Sequence, residues 1–106
     1  MYFKDLSQLE ERNVIPGFKG KFVHSEYMTL AYWDTEKDAI LPLHSHSHEE
    51  VANVLEGKME MTIEGETVIL EPGMVAVIPP NVKHSGRAIT DCKVLDIFHP
   101  TREEYK

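Results

Sequence analysis

Short apolar segments, most of them followed within two residues by a Gly, Pro, Asn or Asp, limit the fold of this chain more than any other feature. They recur about every 8–12 residues, a spacing typical of antiparallel sandwiches and barrels. No segment carries a sustained apolar stripe with the 3.6-residue period of a helix, and no unit repeats at a fixed interval. At 106 residues the chain has room for one core. We therefore predict a small all-β barrel or sandwich, built as a single domain over residues 1–106.

The clearest pair of strands is an alternating hairpin. Residues 59–63 and 67–70 alternate apolar and polar side chains, and Glu64-Gly65 stands between them. Gly65 supplies the positive φ that a tight hairpin turn requires. Met59 and Met61 lie at strand spacing, and we interpret them as core residues, since a soft copper site would ordinarily recruit Cys as well.

Further strands are predicted from the same alternation and punctuation. The run at 74–78 is wholly apolar and is predicted to be a buried strand between two turns. The turn after it contains Asn81, which adopts left-handed backbone more readily than most residues. The other predicted strands cover 28–33, 39–43, 50–56, 82–87 and 94–98.

Charge and composition exclude several classes of partner. The chain has 11 Lys and Arg against 18 Asp and Glu, a formal net charge of −7, so we expect no nucleic-acid partner. Its longest apolar run, at 74–78, is far shorter than the roughly 20 residues that cross a bilayer, so we expect no membrane association. The lone Cys92 has no disulfide partner within the chain. We therefore expect a soluble protein in a reducing, cytoplasmic compartment.

A group of histidines carries the strongest chemical signal. His44 and His46 stand two apart, so on a strand both imidazoles leave the same face, and Glu50 follows at the same parity. His84 comes just after a Pro-Pro-Asn turn, where an antiparallel strand can bring it opposite the pair. Three imidazoles and a carboxylate suit one divalent transition metal, such as Mn, Fe, Co, Ni or Zn, with positions left open for substrate. A solvated loop over 43–50 is the alternative that the residues leave open.

The spacing of these residues resembles the first motif of the cupin family. That motif has the form His-x-His, three or four residues, Glu, six residues, Gly. His44, His46, Glu50 and Gly57 satisfy it, and Asp38 stands where the motif usually opens with Gly. The motif therefore fits in every position that could contact a metal.

The second cupin motif is also matched, in the correct order. It has the form Gly, five residues, Pro-x-Gly, two residues, His, and it is satisfied by Gly73, Pro79 and His84 with Asn81 in place of the inner Gly. The 15 residues between the motifs, 58–72, resemble the short spacer of bacterial single-domain cupins. Two ordered motifs with all ligand types in register make a specific signal.

The resemblance covers about residues 20–99 and implies a cupin β-barrel of the jelly-roll type, with an N-terminal arm over 1–19 and a tail over 100–106. It also implies a homodimer. The metal ligands that it implies are His44, His46, Glu50 and His84. His48 shares the parity of the histidine pair and is the alternative to Glu50 as a ligand. The competing interpretation places His48 in the turn between strands, bonded to a backbone carbonyl.

The end of the chain resembles the terminus of the KdgF-type cupins of pectin and alginate breakdown. Those sequences end in Asp-x-Phe-x-Pro-x-Arg-Glu-Asp followed by an aromatic residue, and this chain has Asp96, Phe98, Pro100, Arg102 and Tyr105 in that order. The resemblance implies conversion of a 4,5-unsaturated monouronate into its open-chain keto form. The substrate would then be a small anionic sugar acid.

Three residues of this segment are implied in the reaction. Asp96 would carry the proton, Phe98 would line the substrate pocket, and Arg102 would grip the substrate carboxylate bidentately. Asp96 and Phe98 lie two apart on the last predicted strand, so both project from the same side. Without the resemblance, the same residues are interpreted as a surface Asp, a core Phe and a solvated Arg.

Two other functions use the same fold and metal ligands. One is a cupin that binds a metal or small acid without turnover. The other is an Fe-dependent dioxygenase acting on a small substrate, which needs no carboxylate clamp. The position of Arg102 distinguishes these alternatives from the sugar-acid enzyme.

Overall fold

The structure is a computed structural model that describes residues 2–106. Short 3-10 helices lie at Leu6–Gln8 and Glu103–Tyr105. The ten strands are Arg12–Ile15 (β1), Phe18–His24 (β2), Thr29–Thr35 (β3), Ile40–His44 (β4), Glu49–Glu56 (β5), Met59–Ile63 (β6), Glu66–Leu70 (β7), Val75–Ile78 (β8), His84–Ala88 (β9) and Cys92–His99 (β10).

The strands form two antiparallel sheets. The six-stranded sheet has the order β1-β2-β3-β10-β5-β8, and the four-stranded sheet has the order β4-β9-β6-β7. Every strand pair is antiparallel. The small all-β fold predicted from the alternating segments is confirmed.

The core lies between the two sheets because alternate side chains of each strand point inward. On β3, Thr29, Ala31, Trp33 and Thr35 are buried while the residues between them are not. The four-stranded sheet contributes the predicted core pair Met59 and Met61. The interior is therefore lined by both sheets, and any site at its mouth receives residues from both.

Left-handed backbone occurs where the turns require it. Glu64 and Gly65 have φ of 47° and 80°, the two positive values of a tight β6–β7 hairpin turn. Asp38 and Asn81 have φ of 70° and 65°. At these two positions the cupin motifs have Gly and this chain does not, so Asp and Asn adopt the conformation that Gly would supply.

The prediction of a buried strand over 74–78 is wrong in part. Val75 and Val77 are 53% and 61% exposed, whereas Ala76 and Ile78 are buried. The reason is that β8 is the edge strand of the six-stranded sheet, of which only one face is covered by the other sheet. Its outward side chains remain apolar although they are exposed.

The tail folds back onto the barrel. Thr101 is buried, and the ring of Tyr105 stacks on Phe22 with 4.5 Å between centroids. At the other end of the chain, β1 pairs with β2. No helix within residues 2–106 combines the length and the apolar character that a bilayer crossing needs.

Candidate metal centre

The three motif histidines meet at one end of the barrel. His44 ends β4 and lies opposite His84 on β9, as the antiparallel prediction required. His46 lies beyond the end of β4, in the loop that leads to the other sheet. The ligand atoms of these three side chains lie within 4.8 Å of one another. They could therefore hold one metal ion between them.

Backbone carbonyls fix how each imidazole is turned. Each of the three rings contacts a backbone carbonyl oxygen through its Nδ1 atom. The partners are the carbonyl of Pro42 for His44 at 2.8 Å, the carbonyl of His48 for His46 at 2.9 Å, and the carbonyl of Val82 for His84 at 2.9 Å. A carbonyl can only accept, so each Nδ1 is the protonated nitrogen. Each Nε2 then keeps its lone pair, which is the state a metal ligand needs.

Glu50 completes the cluster from the opposite sheet. Its Oε1 lies 3.0 Å from Nε2 of His46 and 3.4 Å from Nε2 of His84. Nε2 of His84 is fully buried and has no hydrogen-bond partner among the described residues. A buried polar nitrogen without a partner costs about 1–3 kcal/mol, which coordination of a metal would offset. The donor set and this orphaned nitrogen fit a divalent transition metal.

The charges of the cluster are consistent with a ligand set. Burial raises the pKa of Glu50, but its contacts with the imidazoles of His46 and His84 outweigh it and lower the value to about 2. Burial lowers the pKa of His44, which favours its neutral form. Burial also lowers the pKa of His84, but its contact with Glu50 outweighs this and raises the value, so a metal that binds here would displace a proton from His84.

His48 lies at the edge of this cluster. Its ring centroid is 5.7 Å from that of His46, and it is not among the three histidines whose ligand atoms converge. Burial lowers the pKa of its imidazole. Its backbone carbonyl contacts Nδ1 of His46, so the position of His48 in the loop helps to orient His46.

Asp96 is a buried carboxyl group beside the cluster. Trp33 donates its indole N–H to Oδ2 at 3.0 Å, and Oδ1 is buried with no partner among the described residues. Burial raises the pKa of Asp96 well above its usual range, and the negative charge of Glu50 raises it further. The protonated form of Asp96 is therefore favoured, and its Oδ1 has no hydrogen-bond partner among the described residues.

Phe98 and Arg102 lie on the same side of the cluster. Phe98 is the cross-strand partner of Glu50, and its ring centroid is 5.7 Å from that of His46. The Arg102 guanidinium stacks over Phe98 at 4.7 Å and pairs with Glu104. Arg102 is thus mostly buried against the site, in contrast to the solvated tail arginine that the residues alone suggested.

A cavity of about 150 Å³ adjoins the cluster, and its walls come from both sheets, the arm and the tail. The residues that line it are Val14, Ile15, Phe18, Trp33, Leu41, His44, Glu50, Asp96, Phe98, Arg102 and Tyr105. Sequence reasoning had not placed β1 or Tyr105 in the site. The aromatic residue at the end of the tail motif was the available signal for Tyr105, whereas nothing in the sequence marked β1.

Comparisons with known proteins give a family and several relatives. Residues 31–98 match the family described as Cupin domain. Over 67 residues the chain is 36% identical to the uncharacterized HTH-type transcriptional regulator YobQ of Bacillus subtilis (strain 168). That match covers 59% of this chain and 28% of the regulator, so the chain spans little more than a quarter of the length of that curated relative.

Two solved structures match along the whole chain, each with a TM-score of 0.94. KdgF from Halomonas sp. is 27% identical and is covered over 99% of its length. An RmlC-like cupin from Shewanella frigidimarina NCIMB 400 is 25% identical and is covered over 96%. A Bacillus subtilis oxalate decarboxylase is 23% identical, with a TM-score of 0.77 over 90% of this chain and 28% of its own, which shows the fold alone.

Proposed function

The chain belongs to the cupin family, and from this premise we propose that it opens the ring of 4,5-unsaturated monouronates to give the linear keto acids. The observation that carries the proposal is convergence on one cavity. Asp96, Arg102 and Glu50 all line the same space of about 150 Å³, as does His44 of the three-histidine cluster. That volume is smaller than the roughly 300–1,000 Å³ of pockets for drug-sized ligands, and suits one small acid.

The proposed metal ligands are His44, His46 and His84 with Glu50. A divalent ion held there supplies a Lewis acid that stabilises negative charge on a substrate oxygen. Glu50 contacts two of the histidines through one oxygen, so a single carboxylate can serve as the fourth ligand.

The reaction rearranges atoms within one molecule. The substrate is a cyclic enol ether with a hemiacetal hydroxyl and a carboxylate. Loss of the hydroxyl proton at C1 forms a C1 carbonyl and breaks the bond from C1 to the ring oxygen, whose electrons pass into an enolate. Protonation of C4 then leaves a ketone at C5. The enzyme must therefore stabilise an enolate, remove one proton from the C1 hydroxyl oxygen and deliver one proton to C4.

Asp96 is suited by its position to move this proton. Its Oδ2 is fixed by Trp33, and its Oδ1 is free beside the cavity. In the proposed cycle Asp96 gives its proton to C4 as the ring opens, and the carboxylate so formed takes up the proton of the C1 hydroxyl in the same step, which restores the acid. No proton is gained or lost overall, which agrees with an isomerisation.

Arg102 is suited to hold the substrate carboxylate. Its guanidinium lines the cavity, stacked on Phe98 at 4.7 Å, and its present partner is the carboxylate of Glu104. The Arg102 side chain is 12% exposed, whereas the Glu104 side chain is 49% exposed. A substrate carboxylate can replace Glu104 and form the bidentate pair that arginine favours. A chain with a net charge of −7 needs such a cation if an anion is to enter.

The comparisons support the same activity. KdgF from Halomonas sp. matches this chain end to end, and the segment from Asp96 to Tyr105 resembles the terminus of KdgF-type cupins. An Fe-dependent dioxygenase has no need of the Arg102 clamp.

One observation favours a second function, that of a binding module. The relative YobQ is described as a transcriptional regulator, and this chain aligns with only 28% of it. A cupin that binds a sugar acid without turnover would keep the cavity and the arginine. Under this alternative the bound acid would be recovered unchanged.

The test is incubation of metal-loaded protein with unsaturated galacturonate and with unsaturated mannuronate or guluronate. Loss of the enol-ether absorbance faster than in buffer supports the enzyme. Tight binding with no absorbance change supports the binding module. The absence of both binding and turnover for every unsaturated monouronate would overturn the proposed function.

A further inference from the structure

The tail is held at both of its ends by the strands beside the cavity. Thr101 donates its hydroxyl to the carbonyl of Glu26 at 3.2 Å. The backbone N–H of Arg102 donates to Oγ1 of Thr29, a fully buried residue, at 2.9 Å. The guanidinium of Arg102 is therefore anchored through the backbone as well as through its stacking on Phe98.

The far end of the tail is held at one atom, the carbonyl oxygen of Tyr105. Arg12 on β1 donates to it through Nη2 at 2.5 Å, and His24 on β2 contacts it through Nε2 at 3.1 Å. Since a carbonyl only accepts, Nε2 of His24 carries a proton. Nδ1 of His24 lies 2.9 Å from Oγ1 of Thr29. Thr29 thus links the anchor of Arg102 to the anchor of Tyr105.

These anchors fix the ring of Tyr105 as a wall of the cavity. The ring stacks on Phe22 at 4.5 Å and meets Trp33 and Phe98 at 5.9 and 6.0 Å. The Arg102 guanidinium lies 4.7 Å over its face. Tyr105 therefore shares the guanidinium with Phe98, on the side where a substrate carboxylate would bind.

Resting on the proposed function, we propose that Tyr105 is a further substrate-contacting residue that sets the size of the cavity, and that Arg12 and His24 are positioning residues that act on the substrate through the tail. The aromatic ring offers an apolar surface to the C–H face of a sugar ring and keeps water from the enolate. Arg12 and His24 lie outside the lining of the cavity, so their effect must pass through the tail.

The test uses four variants of the metal-loaded protein. Tyr105→Ala removes the wall and Tyr105→Phe keeps it. Arg12→Met removes one anchor. Lys21→Met is the matched control, because Lys21 also donates to a backbone carbonyl, that of Leu6 at 3.0 Å, but does not touch the tail.

Kinetics with unsaturated galacturonate give the first measurement. We expect Tyr105→Ala to raise KM about threefold to tenfold, and Arg12→Met and the ring-keeping Tyr105→Phe to raise it by a smaller factor, with Lys21→Met near wild type. If Arg12 acts through Tyr105, adding Arg12→Met to Tyr105→Ala changes KM no further. Multiplied effects in the double variant, or a Tyr105→Ala protein with an unchanged KM, would overturn the inference.

A second measurement separates this inference from the proposed function. Trp33 is the only tryptophan and lines the cavity, so its fluorescence quenching by acrylamide reports how open the wall is without any substrate. We expect more quenching in Tyr105→Ala and Arg12→Met than in wild type or Lys21→Met. If no uronate is turned over, the proposed function fails. Equal quenching in all variants would refute the separate claim that Tyr105 is a cavity wall held in place by Arg12.

Discussion

At the scale of single residues, the candidate site depends on which nitrogen of each histidine is free. The carbonyls of Pro42, His48 and Val82 occupy the three Nδ1 atoms and leave the Nε2 atoms facing one another. A solvated loop would not align three rings in this way. The cluster is thus arranged for coordination before any ion binds.

Removing two of these rings should remove the metal. We expect His44→Ala combined with His46→Ala to retain no stoichiometric divalent metal, because two ligands cannot hold a transition ion against water. Metal analysis of the purified protein measures this. His99→Ala, which changes an exposed histidine outside the cluster, should retain the wild-type metal content. Full occupancy in the double variant would show that the metal lies elsewhere.

The carboxylate clamp gives a second prediction at this scale. Arg102→Ala should raise KM about tenfold to a hundredfold, because a bidentate, charge-assisted pair in a partly buried site is lost. Arg87→Ala is the control, since Arg87 is an exposed arginine paired with Asp38. Steady-state kinetics on the unsaturated monouronate decide it. Equal KM values in the two variants would exclude the clamp.

At the scale of elements, the sequence predicted what local pattern controls. The β6–β7 hairpin and the pairing of His44 with His84 followed from alternation and turn residues. The even spacing of Glu50 from His44 and His46 predicted one strand face for all three residues. Glu50 instead reaches the histidines from the opposite sheet, because the chain leaves β4 at His44 and crosses over. The walls formed by β1 and by Tyr105 depend on contacts between distant segments, which no local pattern encodes.

The turn before β9 offers a prediction for an element. Asn81 has φ of 65°, and its N–H donates to the carbonyl of His46 at 2.7 Å, so this turn connects the two motifs. Asn81→Ala should lower the free energy of unfolding by about 1 kcal/mol, because a Cβ without a local polar partner disfavours left-handed backbone. Asn81→Gly should change it much less. Urea unfolding of both variants checks this, and equal losses would contradict the backbone explanation.

At the scale of the whole molecule, the outer face of the six-stranded sheet carries a row of apolar residues that are half-buried or exposed. Cross-strand partners form a continuous row over this face: Val77, Val51, Ile97, Leu30 and Val23. Val75 and Leu55 extend the patch and are about half exposed. Apolar area of this kind marks a contact surface, and we propose that a second copy of the chain covers it.

A charge in this face should separate the copies. We expect wild-type protein to sediment as a dimer at micromolar concentration and Val77→Lys to sediment as a monomer, since a lysine would be buried without a partner in the interface. Ile69→Lys places the same charge on an exposed isoleucine of the four-stranded sheet, opposite Glu60, and should leave the dimer intact. A wild-type monomer, or a dimeric Val77→Lys protein, would refute this interface.

The proton transfer assigned to Asp96 connects the fold to the proposed reaction. Asp96 is fixed by Trp33 on one side of the cavity, so the proton should reach C4 from one face only. The substitution Asp96→Asn should lower kcat by about 10²–10⁴-fold and leave the metal content unchanged, because proton transfer is lost whereas the metal ligands are kept.

The most direct measurement is the reaction of unsaturated galacturonate in deuterium oxide, followed by NMR at early times. Wild-type protein is expected to accelerate ring opening and to place one deuterium at C4 in a single configuration. A mixture of both configurations, formed at the rate seen without protein, would contradict it.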